Sequence, residues 1–323
     1  MRAVIHTKYG SPDVLQIKEV DKPSPKDDEV LIRVFASTLN RTDTGFRSAT
    51  YFVSRLITGI AKPKKIVTGT EFAGKIVEIG KSVKEYEIGD RVFGFDDSTF
   101  GSHAEYKVEP ENGPMAIIPK NFSYQEVAPA GEGATYALSV IRASGVKKGQ
   151  QALVYGASGA IGSAGVQILT HLGVAVTAVC GTKNVKLIKS LGVDKVIDYE
   201  TTDFTNTADK YDLILDAVGK SSYGACKKIL TPKGKYVSSE LGAFMQNPLF
   251  ALWFLITGSR RVIFPIPIIN KEKMEYIKKL LEAEDYKPIV DRTYPLEKIV
   301  EASLYVETGQ KTGNVVIKVS DKD

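Results

Sequence analysis

Residues 156–162 constrain the possible fold more than any other part of the sequence. They read Gly-Ala-Ser-Gly-Ala-Ile-Gly and lie between an apolar stretch, 152–155, and a run, 161–172, in which apolar residues recur at helical spacing. A strand, a glycine-rich turn and a helix in that order are typical of the phosphate-binding corner of a dinucleotide-binding fold. The spacing is Gly-x-x-Gly-x-x-Gly rather than Gly-x-Gly-x-x-Gly, so a simple glycine-rich turn is the alternative interpretation.

The glycines of this segment favour the phosphate-binding interpretation. Gly156 and Gly159 allow a tight turn and a close approach of the backbone to a pyrophosphate, and Gly162 allows close packing of the helix. The free amides at the start of the helix attract phosphate groups. The predicted phosphate-binding residues are Gly156, Ser158, Gly159, Ala160, Ile161 and Gly162.

Strand and helix patterns alternate from about residue 124 to residue 268. Further strands are predicted at 174–180, 195–198, 213–217 and 235–238, and helices at 128–144 and 184–191. This alternation predicts an α/β domain with a doubly wound parallel sheet. It is the cofactor domain of the prediction, with the boundaries 124–268.

The remainder of the chain has a different pattern of apolar residues. Residues 1–123 contain alternating apolar stretches, such as 29–35 and 74–79, that are separated by glycine and proline, which indicates a β-rich, barrel-like domain. The tail has helical patterns at 271–284 and 296–307 and a strand pattern at 314–319. We expect that last strand to return to the first domain, which would then comprise 1–123 and 269–323.

The segment that ends the second strand of the α/β domain indicates the nucleotide. A site for NAD has Asp or Glu about 20 residues beyond the glycines. Here the chain continues Gly181-Thr182-Lys183-Asn184, and the next acidic residue is Asp194. The missing carboxylate and the nearby lysines favour NADP(H), with Gly181, Thr182, Lys183 and Asn184 as cofactor-binding residues. The alternative is that the lysines belong to a solvated helix face.

Composition excludes several classes of protein. Two cysteines among 323 residues cannot form a Cys₄ zinc site or a disulfide framework, and three histidines leave few metal ligands. The net charge of +5 comes without a run of basic residues, so nucleic acid is not an expected partner. The N-terminus lacks the pattern of a signal peptide and no apolar run reaches about 20 residues, so we expect a cytoplasmic protein without a transmembrane segment.

Several motifs in order along the whole chain resemble the medium-chain dehydrogenase/reductase superfamily. They are Leu39-Asn40-Arg41-Thr42-Asp43, the glycines and Gly89-Asp90-Arg91-Val92 of the segment 67–92, the loop 156–162, and Asp216-Ala217-Val218-Gly219. The chain is most similar to the zinc-independent branch of quinone oxidoreductases, zeta-crystallin and alkenal reductases. The resemblance implies a GroES-like catalytic domain and a Rossmann cofactor domain, and the family commonly forms homodimers.

The resemblance also allows the zinc alcohol dehydrogenases to be compared position by position. Their three catalytic ligand positions correspond to Asn40, Thr70 and about Gly131, none of which is a good zinc ligand. His103 lies in a segment that varies in the family and is interpreted as a packing or solvated residue. We therefore expect no metal.

Without a metal, hydride transfer needs hydrogen bonds to the oxygen of the acceptor, which suits a conjugated enone or a quinone. The resemblance places Asn40, Asp43 and Tyr51 beside the substrate. The Asn40 amide and the Tyr51 phenol can donate to the oxyanion, whereas Asp43 is expected to orient its neighbours because it cannot donate while ionised. The alternatives are aromatic packing for Tyr51 and a helix cap for Asp43.

The resemblance implies further contacts to the cofactor. Thr135 is expected near the nicotinamide, Tyr199 beside the adenine, and Val218 and Gly219 near the nicotinamide ribose. The segment Ser239 to Gly242, with Ser239 and Leu241 as the named contacts, is expected to line the carboxamide. All follow strands at the edge where ligands bind in parallel sheets.

Residues 244–257 depart from the family pattern because they are unusually apolar. They are interpreted either as packing at a dimer or domain interface, or as a lid for a lipophilic acceptor. A peripheral membrane contact next to Arg260 and Arg261 is the third possibility.

The sequence as a whole predicts a zinc-independent, NADPH-dependent reductase of quinones or α,β-unsaturated carbonyl compounds, forming a homodimer. Two alternatives stay open. One is an enzyme of the zinc alcohol dehydrogenase type, and the other is an NADPH-binding protein with little turnover, of a crystallin-like or RNA-binding kind.

Overall fold

The computed structural model describes residues 1–50, 55, 58–64, 66–242, 245–259 and 261–320. The chain divides into two compact units. The first comprises Met1–Gly131, Ile269–Glu282 and Pro288–Asp323, and the second comprises Glu132–Ile268 and Ala283–Lys287. Each unit has its own hydrophobic core and is described separately.

The first unit is built around a seven-stranded sheet. Two strands, β1 (Arg2–Ile5) and β2 (Gln16–Glu19), form a separate antiparallel pair. The seven strands of the large sheet are β3 (Glu29–Leu39), β4 (Glu71–Ile79), β5 (Arg91–Phe95), β6 (Tyr106–Pro110), β7 (Met115–Ile117), β14 (Val290–Pro295) and β15 (Asn314–Lys318). The helices of this unit are α1 (Arg41–Ser48), α2 (Tyr124–Val127), α8 (Lys271–Glu282) and α9 (Ile299–Glu307).

The long strand β3 organises that sheet. It pairs antiparallel with β4, with β6 and, through Leu39 and its neighbours, with β15 from the end of the chain. The sheet order is β14-β15-β3-β4-β5-β7. Residues 36–39 extend β3 beyond the predicted stretch 29–35, and all four are buried, so they lack an alternation of buried and exposed side chains.

The second unit contains a parallel six-stranded sheet. Its strands are β8 (Gln151–Tyr155), β9 (Ala175–Cys180), β10 (Lys195–Asp198), β11 (Tyr211–Asp216), β12 (Leu230–Ser238) and β13 (Val262–Ile263), in the order β10-β9-β8-β11-β12-β13. The helices are α3 (Gly131–Ser144, whose first residue belongs to the first unit), α4 (Ala160–His171), α5 (Val185–Lys189), α6 (Tyr223–Cys226) and α7 (Gln246–Ile256). This strand order is that of a doubly wound dinucleotide-binding fold, as predicted.

Helix α3 shows how local chemistry moves a boundary. The alanine-rich pattern predicts a helix from residue 128, but residues 128–130 form a short 3₁₀ turn in which Pro129 leaves helical geometry (φ −84°, ψ 17°). Proline has no amide hydrogen and clashes with the preceding turn, so the α-helix begins at Gly131.

Helix α7 covers most of the apolar segment singled out in the sequence. Ala251 and Phe254 pack on the core of the second unit, and Phe254 lies edge-on to Tyr223 with ring centroids 5.1 Å apart. The opposite side is exposed: Trp253 is 61% and Ile256 is 73% accessible. Phe244 and Arg260 lie outside the described residues. Within the described part of the chain, no helix is long and apolar enough to cross a membrane.

Candidate active site

The glycine loop joins β8 to α4 in the second unit. Gly156 has φ +78°, a conformation that favours glycine, and its carbonyl accepts a hydrogen bond from the Gly159 amide at 3.0 Å. The amides of Gly156 and Ala157 both donate to the Val179 carbonyl, at 3.1 and 3.0 Å. The loop is therefore held against the carboxyl end of the neighbouring strand β9.

The glycines differ in what surrounds them. A Cβ atom at Gly162 would lie 2.9 Å from the Cα of Ala157 and closer still to the Gly156 carbonyl oxygen, so this glycine permits the loop to pack on α4. A Cβ atom at Gly159 would meet only the Gly156 carbonyl oxygen, at 3.5 Å. Gly159 is the N-cap of α4, and the space in front of it is where the free amides of the first helical turn point.

A buried aspartate shapes the loop that follows β11. The Asp216 carboxylate accepts hydrogen bonds from the amides of Val218, Gly219 and Ser221 at 2.8–3.1 Å and from the Tyr236 hydroxyl at 2.9 Å. The Val218 side chain lies over Gly156, where a Cβ atom would come within 2.5 Å of it. Val218 therefore lies directly beside the glycine loop, and Gly219 follows it in the loop that Asp216 holds. Their contact with the nicotinamide ribose stays a prediction.

Two further predicted residues, Thr135 on α3 and Ser239 after β12, present hydroxyls that suit a ligand. Among the described residues, Thr135 Oγ1 and Ser239 Oγ are buried without a hydrogen-bond partner. A buried polar atom without a partner costs about 1–3 kcal/mol, which a ligand that bonds to it would recover. Leu241 follows Ser239, and its carbonyl accepts the Asn247 amide at 3.1 Å. These orphaned hydroxyls, with the open space at Gly159, fit a dinucleotide.

The corner after β9 differs from the expectation that no carboxylate lies there. Residues Thr182–Asn184 form a 3₁₀ turn capped by Gly181, and the Thr182 hydroxyl lies 2.6 Å from Asp198 Oδ2 and 3.2 Å from Glu200 Oε2. Asp194 instead accepts the Val176 amide near the start of β9. Sequence reasoning missed Asp198 and Glu200 because Asp198 ends the next strand, β10, and Glu200 lies two residues beyond it. The parallel pairing of β9 with β10 was the signal that could have found them.

The first unit holds a buried polar cluster at the end of β3. Asn40, 2% exposed, points its Nδ2 at Glu71 Oε2 (3.1 Å), Asn314 Oδ1 (3.2 Å) and the Thr38 hydroxyl (3.5 Å). The Thr38 hydroxyl donates to the same Glu71 oxygen at 2.6 Å. An amide has two hydrogens, and both have acceptors within the protein. Asn40 therefore ties β3, β4 and β15 together, and the predicted donation from its amide to a substrate needs a rearrangement of this cluster.

Asp43 lies on the first turn of α1 beside that cluster. Its carboxylate accepts a hydrogen bond from the backbone N–H of Asn40 at 2.9 Å, which is the helix-capping contact weighed from the sequence. It also accepts one from the Thr70 hydroxyl at 3.3 Å. Burial raises the pKa of Asp43 to about 7 despite these hydrogen bonds. A carboxyl with a pKa near neutral pH is partly protonated there, and only its protonated form can donate a hydrogen bond. The role predicted for Asp43, to orient its neighbours while ionised, stays a prediction.

The third predicted catalytic residue, Tyr51, lies outside the described residues. Tyr199, predicted beside the adenine, is half exposed at the end of β10, and its ring stands edge-on to Tyr155 with centroids 6.3 Å apart. The Tyr199 amide donates to the Cys180 carbonyl at 3.1 Å, which fixes it next to the end of β9.

Comparisons with known proteins agree with this two-unit architecture. Residues 26–120 match the family profile described as alcohol dehydrogenase GroES-like domain, and residues 191–317 match zinc-binding dehydrogenase. The chain is 32% identical to 2-methylene-furan-3-one reductase of Solanum lycopersicum, over 98% of this chain and 79% of that protein. It belongs to the medium-chain dehydrogenase/reductase superfamily. Within that superfamily it falls in the quinone oxidoreductase and alkenal reductase branch.

Other relatives support the same branch of the superfamily. NADPH-dependent alkenal/one oxidoreductase of Arabidopsis thaliana is 29% identical over 98% of this chain and 79% of its own length. The solved structure of the quinone oxidoreductase from Coxiella burnetii superposes with a TM-score of 0.87 at 25% identity and covers 99% of both chains. The predicted GroES-like and Rossmann folds are thereby confirmed.

One of the family descriptions names zinc binding. The positions that the resemblance aligns with zinc ligands, Asn40, Thr70 and about Gly131, hold no good zinc ligand. No group of three His, Cys, Asp or Glu side chains in the described residues is arranged to hold a metal ion. His103 is buried, and its ring nitrogens contact the Thr68 hydroxyl at 2.8 Å and the Thr38 carbonyl at 2.7 Å. Burial lowers the pKa of His103 to about 4, so it is a neutral packing residue rather than a solvated one.

Proposed function

We propose that this protein is a zinc-independent, NADPH-dependent reductase of quinones or α,β-unsaturated carbonyl compounds. The proposal is carried by the glycine loop, with space at Gly159, and by the buried, unpartnered hydroxyls of Thr135 and Ser239. The relatives of the chain are named for these reductions. One relative is named as NADPH-dependent, which supports NADP(H) as the cofactor.

The second unit supplies the residues that would hold the cofactor. The loop Gly156–Gly162 and the first turn of α4 would take the pyrophosphate, the corner at Thr182 the adenosine ribose, and Thr135 with Ser239 the nicotinamide end. When bound, reduced nicotinamide supplies a hydride.

The first unit supplies a proton-holding group. Reduction of an enone or a quinone places negative charge on the acceptor oxygen, which must then take up a proton. Asp43 holds a proton on its carboxyl near neutral pH because burial disfavours the charged form, and the Thr70 hydroxyl contacts it. We assign Asp43 and Thr70 to proton supply and Asn40 to positioning of the cluster. Tyr51 is proposed as a donor to the oxyanion on the resemblance alone.

The exposed face of α7 supports a homodimer. Leu249, Leu252 and Trp253 on this helix are each more than half exposed. Monomers rarely leave contiguous apolar surface of this kind uncovered. A second copy of the chain is the partner we propose for this face.

The function is tested with purified protein and NADPH. We expect oxidation of NADPH when 9,10-phenanthrenequinone or a 2-alkenal is added, and the decrease in NADPH absorbance measures it. Fluorescence titration with NADPH measures binding separately. Binding without turnover of either acceptor would contradict the enzymatic proposal and favour a nucleotide-binding protein, and zinc-stimulated oxidation of simple alcohols would favour a zinc dehydrogenase.

A further inference from the structure

In the corner after β9, the carboxylates of two residues contact Thr182. Glu200 receives the Thr182 amide on Oε1 at 3.2 Å and lies 3.2 Å from the Thr182 hydroxyl through Oε2, while Asp198 Oδ2 lies 2.6 Å from that hydroxyl. Thr182 and Glu200 are both exposed, so the carboxylate faces a position that a ligand can reach.

The strand pairing places Glu200 there. Cys180 and Asp198 are partners in the parallel register of β9 and β10, and the chain turns back at once because the Glu200 amide donates to Asp198 Oδ1 at 2.9 Å. The turn lays the carboxylate over Gly181, where a Cβ atom would come within 2.5 Å of Glu200 Oε1. A side chain at position 181 would displace the end of the Glu200 side chain, so glycine permits the carboxylate to lie here.

The same corner lies next to the phosphate-binding loop. Gly156 and Ala157 donate to Val179, one residue before the end of β9, and Thr182 follows two residues after that end. In folds with this strand order, the residue at the end of the second strand reads the adenosine ribose: a carboxylate accepts the 2′-hydroxyl, and a cation takes a 2′-phosphate. Here a cation, Lys183, and the carboxylate of Glu200, which follows strand β10, occur at the same corner.

We propose that Glu200 reads the adenosine ribose and accepts its 2′-hydroxyl, so that the chain binds NADH about as well as NADPH. The inference rests on the proposed function, since it concerns the same cofactor site. Repulsion between Glu200 and a 2′-phosphate opposes the attraction from Lys183, whereas NADH gains a hydrogen bond and lacks that repulsion.

The test is fluorescence titration of the full chain with NADPH and with NADH, for the wild type and for Glu200→Gln. For the wild type we expect dissociation constants within about tenfold of each other. Glu200→Gln keeps an oxygen that can accept from Thr182 but removes the charge, so NADPH affinity should rise about tenfold while NADH affinity stays equal or falls slightly.

Asp203→Asn is the matched control. Asp203 lies three residues farther on and accepts the amide and hydroxyl of Thr205 at 2.9 and 2.8 Å, so the variant makes the same change of charge in a similar turn. Its NADPH-to-NADH ratio should equal that of the wild type. A wild type that prefers NADPH more than a hundredfold, or a Glu200→Gln ratio unchanged from the wild type, would overturn the inference. Absence of turnover with either acceptor would overturn the proposed function and leave this binding ratio readable.

Discussion

Two glycines of the phosphate loop allow the role of the loop in binding to be separated from its role in folding. At Gly162, alanine would bring Cβ to 2.9 Å from Ala157 Cα, against 3.4–4 Å for ordinary contact, and closer still to a carbonyl oxygen. Overpacking of this kind costs about 1–3 kcal/mol. At Gly159, φ is −81° and the nearest atom would be 3.5 Å away, so alanine fits the folded chain. Its only local cost is a poorer N-cap, roughly 1 kcal/mol or less.

We therefore expect the two substitutions to differ in how much they change the free energy of unfolding and the affinity for NADPH. Gly162→Ala should lower the free energy of unfolding by about 1–3 kcal/mol and weaken NADPH binding, because the loop must move. Gly159→Ala should weaken NADPH binding at least about tenfold with little change in stability, because its methyl group enters the space in front of the first turn of α4.

Urea unfolding of both variants measures the free energy of unfolding, and fluorescence titration measures the affinity for NADPH. Wild-type affinity in Gly159→Ala would refute the placement of phosphate at this helix start. An unchanged free energy of unfolding in Gly162→Ala would refute the packing argument for that glycine.

Four further predictions concern single side chains. Thr135→Val removes a buried hydroxyl without a partner, so unfolding in urea should show about 1 kcal/mol greater stability without cofactor, together with weaker binding of NADPH in titrations. Turnover should fall as pH rises through about 7, where Asp43 loses its proton, and a pH–rate profile of Asp43→Asn should lack this step. For His103, the folded pKa of about 4 lies below the unfolded value of 6.5, so its contribution to stability is present above pH 6.5 and is lost as pH falls towards 4. His103→Gln should therefore gain stability relative to the wild type over that range, by up to about 3 kcal/mol in urea unfolding measured at each pH. Trp253→Glu should shift the proposed homodimer to monomer in size-exclusion chromatography with light scattering, and an unchanged mass would contradict an interface at α7.

The regular elements of the second unit were predictable because their signals are local. Strand β10 has the predicted bounds, 195–198, and helix α4 begins one residue before the predicted start. The apolar runs of β8 and β9 and the glycines between strand and helix are read from a short window of sequence. Boundaries moved where a contact from elsewhere intervened: β12 begins at Leu230 rather than at residue 235, because Tyr211 of β11 pairs with Leu230.

The candidate site was less predictable because its chemistry depends on distant parts of the chain. Asn40 and Asp43 are visible in the sequence, but the partner that occupies the Asn40 amide, Asn314, is 274 residues away. The pKa of Asp43 depends on burial that no local pattern reveals. In each case the residue is visible in the sequence, but its hydrogen bonding or protonation follows from tertiary contacts.

The corner after β9 also depends on distant parts of the chain for its chemistry. The residues that follow β9 in the sequence include Thr182 and Lys183 but no acid, which favours a 2′-phosphate. The neighbouring strand β10 and the turn after it bring the carboxylates of Asp198 and Glu200 to the Thr182 hydroxyl. Charge at a binding corner is a property of every strand that ends there, because parallel strands deliver their carboxyl ends to one edge. The proposed balance between NADPH and NADH therefore follows from the pairing of β9 with β10 as well as from the residues that follow β9.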